Sequence, residues 1–307
     1  MTSKSGLDSK TLSILEKYHD ANGIYVGYSG GMDSHVLLHI VSHFHDVLNK
    51  EIIAVHVNHG LNEKASQWAD HCQSVCDFIN LKLIQISVNA SAPKGESQEE
   101  WARDLRYQAI MELIGKNDLF LTAHHKDDLA ETLLLQLLRG AGPAGLAAMP
   151  EMAQLGTGRH VRPLLDFSRE EIFCYATNQG LDWINDESND DERFDRNYLR
   201  HRVMPVLKQR WPGMLKTLSR SADIQSGVNE LIEDLAAQDM LVCLKTKNST
   251  LSAQRLRELS NTRAINVIRY WLKSRQHRSP SARLLEQILT DVVNSEPDHS
   301  PFISWGG

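Results

Sequence analysis

Short apolar runs rich in β-branched residues recur along the first half of the chain, at residues 24–28, 52–57, 83–88 and 119–122. Their starts lie about 30 residues apart, which is the length of a strand–helix unit. The segments between them have apolar residues at helical spacing. Two such helical faces are formed by Val36, Leu37, Ile40, Val41 and Phe44, and by Trp101, Leu105, Ala109 and Leu113. This alternation predicts an α/β fold with a doubly wound, mainly parallel sheet, and ligands at the carboxyl ends of its strands.

The pattern changes in the second half of the chain. A further strand is predicted over HVRPLL at 160–165 and a helix from Ser168 to Gln179, followed by a polar loop at 185–195. After residue 213 the strand signals stop, and the apolar spacing is helical from 214 to about residue 294. We therefore expect a first domain over residues 1–213 and a smaller all-α domain over residues 214–307.

Composition narrows the class of protein. The chain is 41% hydrophobic and 23% charged, as in globular proteins. No run approaches the roughly 18 apolar residues of a membrane span, and the amino terminus lacks the apolar stretch of a secretory signal. The four cysteines form neither a CxxC pair nor a zinc spacing, so reduced thiols in a cytoplasmic protein without membrane contact are expected.

Charge is unevenly distributed along the chain. The net charge is −6, yet residues 193–220 contain eight basic residues and Asp195 as their one acidic residue, a local charge of +7. Such a patch can attract a phosphate backbone, but it can equally be a solvated helix face. Charge by itself leaves both interpretations open.

The stretch VGYSGGMDSH at 26–35 joins the first strand to the first crossover helix. Glycines allow backbone N–H groups to approach an oxyanion, and a helix amino terminus adds favourable partial charge. Ser29 and Ser34 add hydroxyl groups, and Asp33 has the chemistry to hold Mg²⁺ that bridges phosphate oxygens. The ordinary alternative is a turn with Ser34 or Asp33 as an N-cap. The stretch is neither a Walker A loop nor the dinucleotide-binding GxGxxG pattern.

Two further polar segments follow predicted strands and reach the same edge of the sheet. They are HVNHGL at 56–61 and TAHHKDDLAET at 122–132. Asp128 and Glu131 are three residues apart on a predicted helix, so their carboxylates share a face. Taken singly, the acidic residues have an ordinary explanation as complements of the helix dipole, and His124 and His125 as surface-turn residues.

The string SGGMDS at 29–34 resembles the loop SGGxDS of PP-loop ATP pyrophosphatases, which split ATP into AMP and pyrophosphate. The resemblance implies an adenine nucleotide α-hydrolase-like fold and adenylation of a substrate.

Five further segments carry a narrower resemblance, which runs from about residue 20 to 215. They are HVNHGL, EEWARDLRYQ, TAHHKDDLAET, RGAGPAGLAAM and ESNDDERFDRNYLRHRV. Together they are similar to the tRNA(Ile)-lysidine synthetases, whereas related thiolation enzymes would be expected to show a CxxC pair or a catalytic cysteine. Members of this family usually carry a further carboxyl-terminal domain, which this chain is expected to lack.

This resemblance implies an ATP-dependent ligase that modifies the wobble cytidine of an isoleucine tRNA with the anticodon CAU. The cytosine oxygen would attack the α-phosphorus of ATP, and free lysine would then displace AMP from carbon 2 to give lysidine. The implied substrates are ATP with Mg²⁺, lysine and tRNA.

The resemblance also assigns residues. It implies a lysine site at Asp128 and Glu131, with His125 beside the reacting groups and Arg106 (or Arg103) on a phosphate or on the lysine carboxylate. The implied ATP-binding residues are Ser29, Gly30, Gly31, Met32, Asp33, Ser34 and His59, with Asp33 as the metal ligand. The implied contacts to tRNA phosphates are Arg196, Arg200 and Arg202, and the helical domain over residues 214–307 is implied to contact tRNA as well.

Two rival functions remain open from the sequence: another adenylating enzyme, such as a tRNA-cytidine thiolase, and a non-catalytic nucleotide sensor. The oligomeric state (a homodimer included), the tRNA identity determinants and the general base are also left open.

Overall fold

The computed structural model describes residues 6–58, 60, 65–89, 93, 98–186, 190–245, 250–275, 277, 280–295 and 302–304. The chain divides into two compact units, Met1–Asp223 and Ile224–Gly307. The domain boundary expected after residue 213 stays a prediction. In the described part of the chain, no helix is long and apolar enough to cross a membrane.

A six-stranded sheet forms the centre of the first unit, in the order β3-β2-β1-β4-β6-β5. All neighbouring strands are parallel except β5, which runs antiparallel to β6 at the edge. The mainly parallel sheet predicted from the apolar runs is therefore confirmed. The strands are β1 (Gly23–Gly27), β2 (Glu51–Asn58), β3 (Lys82–Ser87), β4 (Leu119–Leu121), β5 (Met152–Leu155) and β6 (Gly158–Val161).

Helices lie before, between and after the strands of this unit, and a π-helical turn at Leu199–Val203 joins the last two of them. They are α1 (Gly6–Glu16), α2 (Met32–Ser42), α3 (His45–Leu48), α4 (Ala65–Phe78), α5 (Gln98–Leu113), α6 (Lys126–Leu138), α7 (Pro143–Leu146), α8 (Arg169–Asn178), α9 (Asp195–Tyr198) and α10 (Met204–Arg210). Helix α11 (Met214–Cys243) contributes residues to both units.

The central strands form because they are buried. Val26 of β1 and Leu121 of β4 are fully buried, and α2 packs Val36, Leu37 and Ile40 into the same core. Burial of apolar side chains provides the main driving force for this packing. With the apolar residues of the strands buried, the polar residues that follow each strand lie at the carboxyl edge of the sheet.

The predicted strand at 160–165 is wrong after its second residue, because β6 ends at Val161. Pro163 has no N–H to donate to a sheet ladder, so the strand cannot continue. Strand β5, which was not predicted, pairs with β6 around a turn in which Gly156 has φ +56°. The helix predicted from Ser168 to Gln179 is confirmed, with these two residues as the caps of α8.

The second unit is helical, as the spacing predicted, around a core that includes Val267 and Leu285. Its further helices are α12 (Ala253–Arg257), α13 (Asn261–Ser274) and α14 (Ala282–Gln287), followed by a π-helical segment at Ile288–Val293. A ladder of two residues per strand, β7 (Leu244–Lys245) with β8 (Thr250–Leu251), was not predicted. Such short strands leave no periodic signal in a sequence.

Candidate active site

The loop between β1 and α2 closes on itself through its two serines. Ser29 Oγ lies 3.0 Å from Ser34 Oγ and accepts the N–H of Gly31 at 3.3 Å. Ser34 Oγ accepts the N–H of Ser29 at 3.2 Å and donates to the Gly31 carbonyl at 2.9 Å. Residues 29–34 therefore form an ordered turn at the carboxyl end of β1, where the sequence predicts the phosphate-binding loop.

Helix α2 begins within this turn. Gly31 is its N-cap and provides no side-chain cap, while Met32, the first helical residue, is buried. The first N–H groups of a helix have no intrahelical acceptors, and the helix dipole makes this end favourable for an anion. The loop and the start of α2 can thus bind a phosphate together.

Gly30 is required here by both conformation and space. Its φ is +84°, and a Cβ atom at this position would lie 2.9 Å from Ile184 Cδ1 and 3.2 Å from Cys72 Sγ. The Gly30 carbonyl also accepts the N–H of Ile184 at 2.9 Å. A side chain here would collide with the segment that holds the loop in place.

The start of α6 meets this loop through His125, which is its N-cap. His125 Nδ1 accepts the N–H of Asp128 at 3.4 Å, and Asp128 Oδ2 accepts the N–H of His125 at 3.0 Å. The His125 side chain is almost wholly buried, and its Nε2 lies 3.6 Å from Asp33 Oδ2. Two polar segments that are distant in sequence are thereby joined at one edge of the sheet, as predicted.

Asp33 has the environment of a metal ligand. Its Oδ1 atom is buried and has no hydrogen-bond partner among the described residues. A buried carboxylate oxygen without a donor is costly, and a cation would satisfy it. No cluster of three or more metal-ligating side chains occurs in the described residues. A divalent ion at Asp33 would therefore take its other ligands from phosphate oxygens and water, as Mg²⁺ commonly does.

The residues predicted to bind lysine and two of those predicted to bind tRNA form one ion-pair network. Arg200 donates to both oxygens of Glu131, at 2.7 and 2.8 Å, and to Asp128 Oδ1 at 3.1 Å. Arg196 donates to Glu131 Oε2 at 3.0 Å and to Asp128 Oδ1 at 2.8 Å. Both arginines are therefore partly buried and occupied by carboxylates; a role in gripping tRNA stays a prediction.

Charged neighbours in this network shift the pKa values of Asp128 and His125 in the direction opposite to that expected from burial. Burial by itself would raise the pKa of Asp128, but His125, Arg196 and other nearby cations lower it to about 2. Burial would likewise lower the pKa of His125, but Asp128 and Asp33 raise it above its usual value. The start of α6 thus keeps Asp128 ionised in a site with little access to water.

Asp127 ties this site to the helices behind it. One carboxylate oxygen accepts the Arg169 N–H at 2.8 Å, and the other accepts from Lys208. Burial opposes ionisation, but the bonds to Lys208 and Arg169 lower the pKa of Asp127. This residue anchors α6 and is not directed at the loop.

The remaining predicted residues are less closely connected to the loop. Arg202 is exposed and pairs with Glu192 at 2.8 Å. The Arg106 guanidinium lies 5.5 Å from the ring centroid of Tyr107. His59, predicted to bind ATP, lies outside the described residues.

Two exposed aromatic residues lie in the basic segment and were missed from the sequence. Tyr198 is 53% exposed and Trp211 57% exposed, and the Arg210 guanidinium lies 5.8 Å from the Trp211 ring centroid. Unpaired bases stack on such rings. The sequence pattern that could have indicated them is the interleaving of aromatic residues with arginines between residues 193 and 220, which is typical of a nucleic-acid contact.

Both ends of the chain match families of known proteins. Residues 4–207 match the family model of the PP-loop domain, and residues 251–307 match that of the TilS substrate binding domain. The fold resembles that of the U34-tRNA thiolase NcsA from Methanococcus maripaludis with its 4Fe-4S cluster. That similarity has a TM-score of 0.59 at 16% identity and covers 71% of this chain and 76% of the other.

Curated relatives are similar at much higher identity. The tRNA(Ile)-lysidine synthase of Coxiella burnetii is 40% identical over 96% of this chain and 66% of the relative. The tRNA(Ile)-lysidine synthase of Photorhabdus laumondii is 39% identical over 96% of this chain and 67% of the relative. The chain spans about two thirds of the length of these curated relatives. By its PP-loop domain and by these relatives, the chain belongs to the tRNA(Ile)-lysidine synthetase family.

Proposed function

We propose that the chain attaches lysine to carbon 2 of the wobble cytidine of tRNA(Ile) with a CAU anticodon, with ATP as the activating substrate. The observation that carries this proposal is the meeting of the SGGMDS loop with His125 at the start of α6, in a chain of this family. AMP and pyrophosphate would be the other products. The cytoplasm, with four unpaired cysteines, is the location we expect for such an enzyme.

In the first step the cytosine oxygen attacks the α-phosphorus of ATP, and the bond to pyrophosphate breaks. The residues suited to bind the departing phosphates are Ser29, Gly30, Gly31, Met32 and Ser34, which offer N–H and hydroxyl groups at the start of α2. Donors that are already fixed in place stabilise developing negative charge without reorganisation. An adenylated oxygen is then a good leaving group, which the free carbonyl oxygen is not.

Asp33 is the residue we propose as the Mg²⁺ ligand, on account of its unpartnered Oδ1 atom. A bound magnesium ion would neutralise negative charge on the phosphates. Asp33 would also orient His125, because the two side chains approach to 3.6 Å. The buried His125 is therefore a positioning group at the junction of the ATP and lysine sites.

For lysine we propose Asp128 and Glu131 as the binding carboxylates. In the structure Arg196 and Arg200 already neutralise these two carboxylates. A lysine ammonium that enters beside two guanidinium groups has a lower pKa than one beside bare carboxylates. This arrangement favours release of the proton, which the ε-amine must lose before it attacks carbon 2. Arg106 or Arg103 would take the lysine carboxylate or a phosphate.

For tRNA we propose the exposed part of the basic segment. Arg196 and Arg200 are occupied by carboxylates, so Arg202 is the most accessible of the three predicted arginines. Tyr198 and Trp211 add exposed rings for bases of the anticodon loop. Stacking on such rings stabilises a base that has left its own stack.

The test is mass spectrometry of tRNA(Ile) after incubation with the protein, ATP and lysine. The expected result is a nucleoside heavier than cytidine by lysine minus water, formed only when both ATP and lysine are present. Incorporation of sulfur with a sulfur donor would indicate a thiolase instead. Tight ATP binding without tRNA-stimulated pyrophosphate release would indicate a nucleotide sensor.

The residue assignments have a matched pair of variants. Asp33→Asn removes the metal ligand at nearly constant volume and should abolish ATP–pyrophosphate exchange. Glu131→Gln should preserve exchange but impair the use of lysine. ATP–pyrophosphate exchange at the wild-type rate in Asp33→Asn would contradict the role of Asp33 as the metal ligand. An unchanged KM for lysine in Glu131→Gln would contradict the role of Glu131 in lysine binding.

A further inference from the structure

A chain of four hydrogen-bonded side chains runs from β6 to the residue before His125. Arg162 Nη2 lies 3.0 Å from His160 Nδ1, and His160 Nε2 lies 2.8 Å from Thr122 Oγ1. Thr122 Oγ1 lies 2.7 Å from His124 Nδ1. The chain therefore connects a buried arginine to a histidine at the edge of the candidate active site.

The first bond fixes the direction of the others. A guanidinium can only donate, so His160 Nδ1 accepts and His160 carries its proton on Nε2. His160 Nε2–H then donates to Thr122 Oγ1. Among the described residues, the Thr122 hydroxyl bonds to the imidazoles of His160 and His124. Because it accepts a hydrogen bond from His160, it donates its own proton to His124 Nδ1. His124 is left with its proton on Nε2, as a hydrogen-bond donor.

Both histidines are held in the neutral form. Burial, reinforced by Arg162, lowers the pKa of His160 to about 2. Burial also lowers the pKa of His124 to about 3, with Asp128 opposing and Arg162 reinforcing the shift. Neither imidazole therefore competes for a proton near neutral pH, and the direction of the chain is preserved.

His124 lies near three arginines and near the Asp128 carboxylate. Arg106, Arg162 and Arg196 are all close enough to act on its pKa. Arg103 and Arg106 lie over the Tyr107 ring at 5.7 and 5.5 Å. An anionic group would be attracted to this surface.

Arg162 is a buried guanidinium whose partners are uncharged: the His160 ring, the Pro150 carbonyl and the Tyr107 hydroxyl. Only 8% of it is exposed, its Nη1 donates to the Pro150 carbonyl at 2.8 Å, and its Nε has no hydrogen-bond partner. No carboxylate among the described residues pairs with it. A buried guanidinium without a counter-ion is costly, and a bound oxyanion nearby would offset that cost.

We propose that His124 Nε2–H donates a hydrogen bond to an anionic oxygen of a substrate, and that Arg162, His160 and Thr122 are positioning residues that fix its tautomer. The His124 Nε2 atom has no protein partner among the described residues, so it is open to such a ligand. The oxygen belongs either to the carboxylate of lysine or to a phosphate. The identity of these substrates rests on the proposed function; the tautomer does not.

The tautomer is tested by NMR of the full chain with ¹⁵N-labelled histidine, because the nitrogen shifts of an imidazole distinguish the two neutral forms. His124→Gln assigns the signal. The expected result is His124 protonated at Nε2 in the wild type and in Thr122→Ser, and a changed tautomer ratio in Thr122→Val. A His124 protonated at Nδ1 in the wild type, or a ratio unchanged in Thr122→Val, would overturn the proposal without any measurement of activity.

The ligand is tested with the same signal. Lysine is compared with lysinamide, which lacks the carboxylate, and both are compared with ATP and magnesium. A shift of His124 Nε2–H with lysine but not with lysinamide identifies the carboxylate, and a shift with ATP identifies a phosphate. If none of these shifts the signal, the substrate contact is refuted even where the tautomer is as expected.

Kinetics separate a substrate contact from a structural role. His124→Ala should raise KM for the identified ligand about tenfold or more, the loss expected for a hydrogen bond to a charged group. Thr122→Val should raise it by less, and Thr122→Ser should restore it. His45→Ala, at an exposed histidine of α3, is the control and should leave KM unchanged. Equal KM values in all four variants would contradict the proposal.

Discussion

At the scale of single residues, the phosphate loop depends more on Gly30 than on Gly31. Gly30→Ala forces a side chain into the left-handed region at φ +84° and to within 2.9 Å of Ile184. The left-handed conformation alone costs roughly 1–2 kcal/mol for a residue other than glycine. We expect Gly30→Ala to lower the free energy of unfolding by at least this amount, measured by urea denaturation.

Gly31→Ala is the matched control for stability. Gly31 has φ −76°, and the nearest contact of an added Cβ atom would be Ser29 Oγ at 3.4 Å. The N-cap position favours glycine over alanine by less than about 1 kcal/mol. If both variants lost the same stability, the positive φ of Gly30 would not be the cause.

Asp128 should contribute stability that depends on pH. Its pKa is lowered from 3.8 to about 2, so the folded state binds this proton less tightly than the unfolded state. The contribution is therefore complete above the unfolded pKa and is lost as the pH falls towards about 2; it amounts to about 2 kcal/mol. The difference in unfolding free energy between the wild type and Asp128→Asn should shrink as the pH falls from about 5 towards 2. A constant difference over this range would show that Asp128 is not stabilised as a carboxylate.

The sequence indicated the chemistry of single residues better than their partners. The strand-to-helix turns placed the SGGMDS loop and the segment of His125, Asp128 and Glu131 at one edge, because those contacts follow from the order of strands. The pairing of Arg196 with Asp128 joins residues 68 positions apart. A single sequence contains no signal for such a pair, so Arg196 and Arg200 were predicted, from the family resemblance and the basic segment, as tRNA contacts and not as partners of the carboxylates.

At the scale of elements, ion pairs join α11 to α13 in the second unit, and the one between Asp239 and Arg263 has the more buried carboxylate. Asp239 is buried, and Arg263 binds it through two nitrogens, with Nε at 2.9 Å from Oδ2. Removal of one partner leaves a buried charge uncompensated. Arg263→Leu should therefore destabilise the second unit, although by less than the loss of a fully buried pair would, because Arg263 is half exposed.

The double variant distinguishes this ion pair from simple packing. Asp239→Leu with Arg263→Leu removes both charges, and a large part of the lost stability should return. Denaturation curves of the wild type, both single variants and the double variant complete the cycle. Strictly additive losses would mean that the two charges do not interact.

Elements were predictable where their side chains are buried on a regular period. The runs that became β1, β2 and β4 have residues that face the core. The run that became β3 lies at the edge of the sheet, where half of its residues are exposed. The edge hairpin of β5 and β6 was missed, since its exposed strand alternates weakly and Pro163 lies inside the apolar run. Weak periodicity at sheet edges limits what a pattern alone can indicate.

At the scale of the whole molecule, the acidic net charge and the basic segment predict opposite responses to salt. The net charge of −6 repels nucleic acid over distances that salt screens. Direct contacts between arginines and phosphates release counterions and weaken as salt rises. If the exposed basic segment contacts tRNA, the affinity should fall steadily with salt despite the acidic protein.

Arg202 provides the sharpest test, because it is 64% exposed and pairs only with the partly exposed Glu192 among the described residues. Each phosphate contact on single-stranded nucleic acid contributes about 0.7 to the slope of log affinity against log salt. Arg202→Ala should reduce the slope by about this amount and weaken binding of all tRNAs alike. Lys10→Ala, at an exposed lysine of α1 that pairs with Asp166, lies outside the basic segment; it is the comparison and should leave the slope unchanged. Because Arg200 holds Glu131 and Asp128, Arg200→Ala should instead impair lysine use with little change in slope. Equal slopes in the wild type and Arg202→Ala would exclude this surface as a phosphate contact.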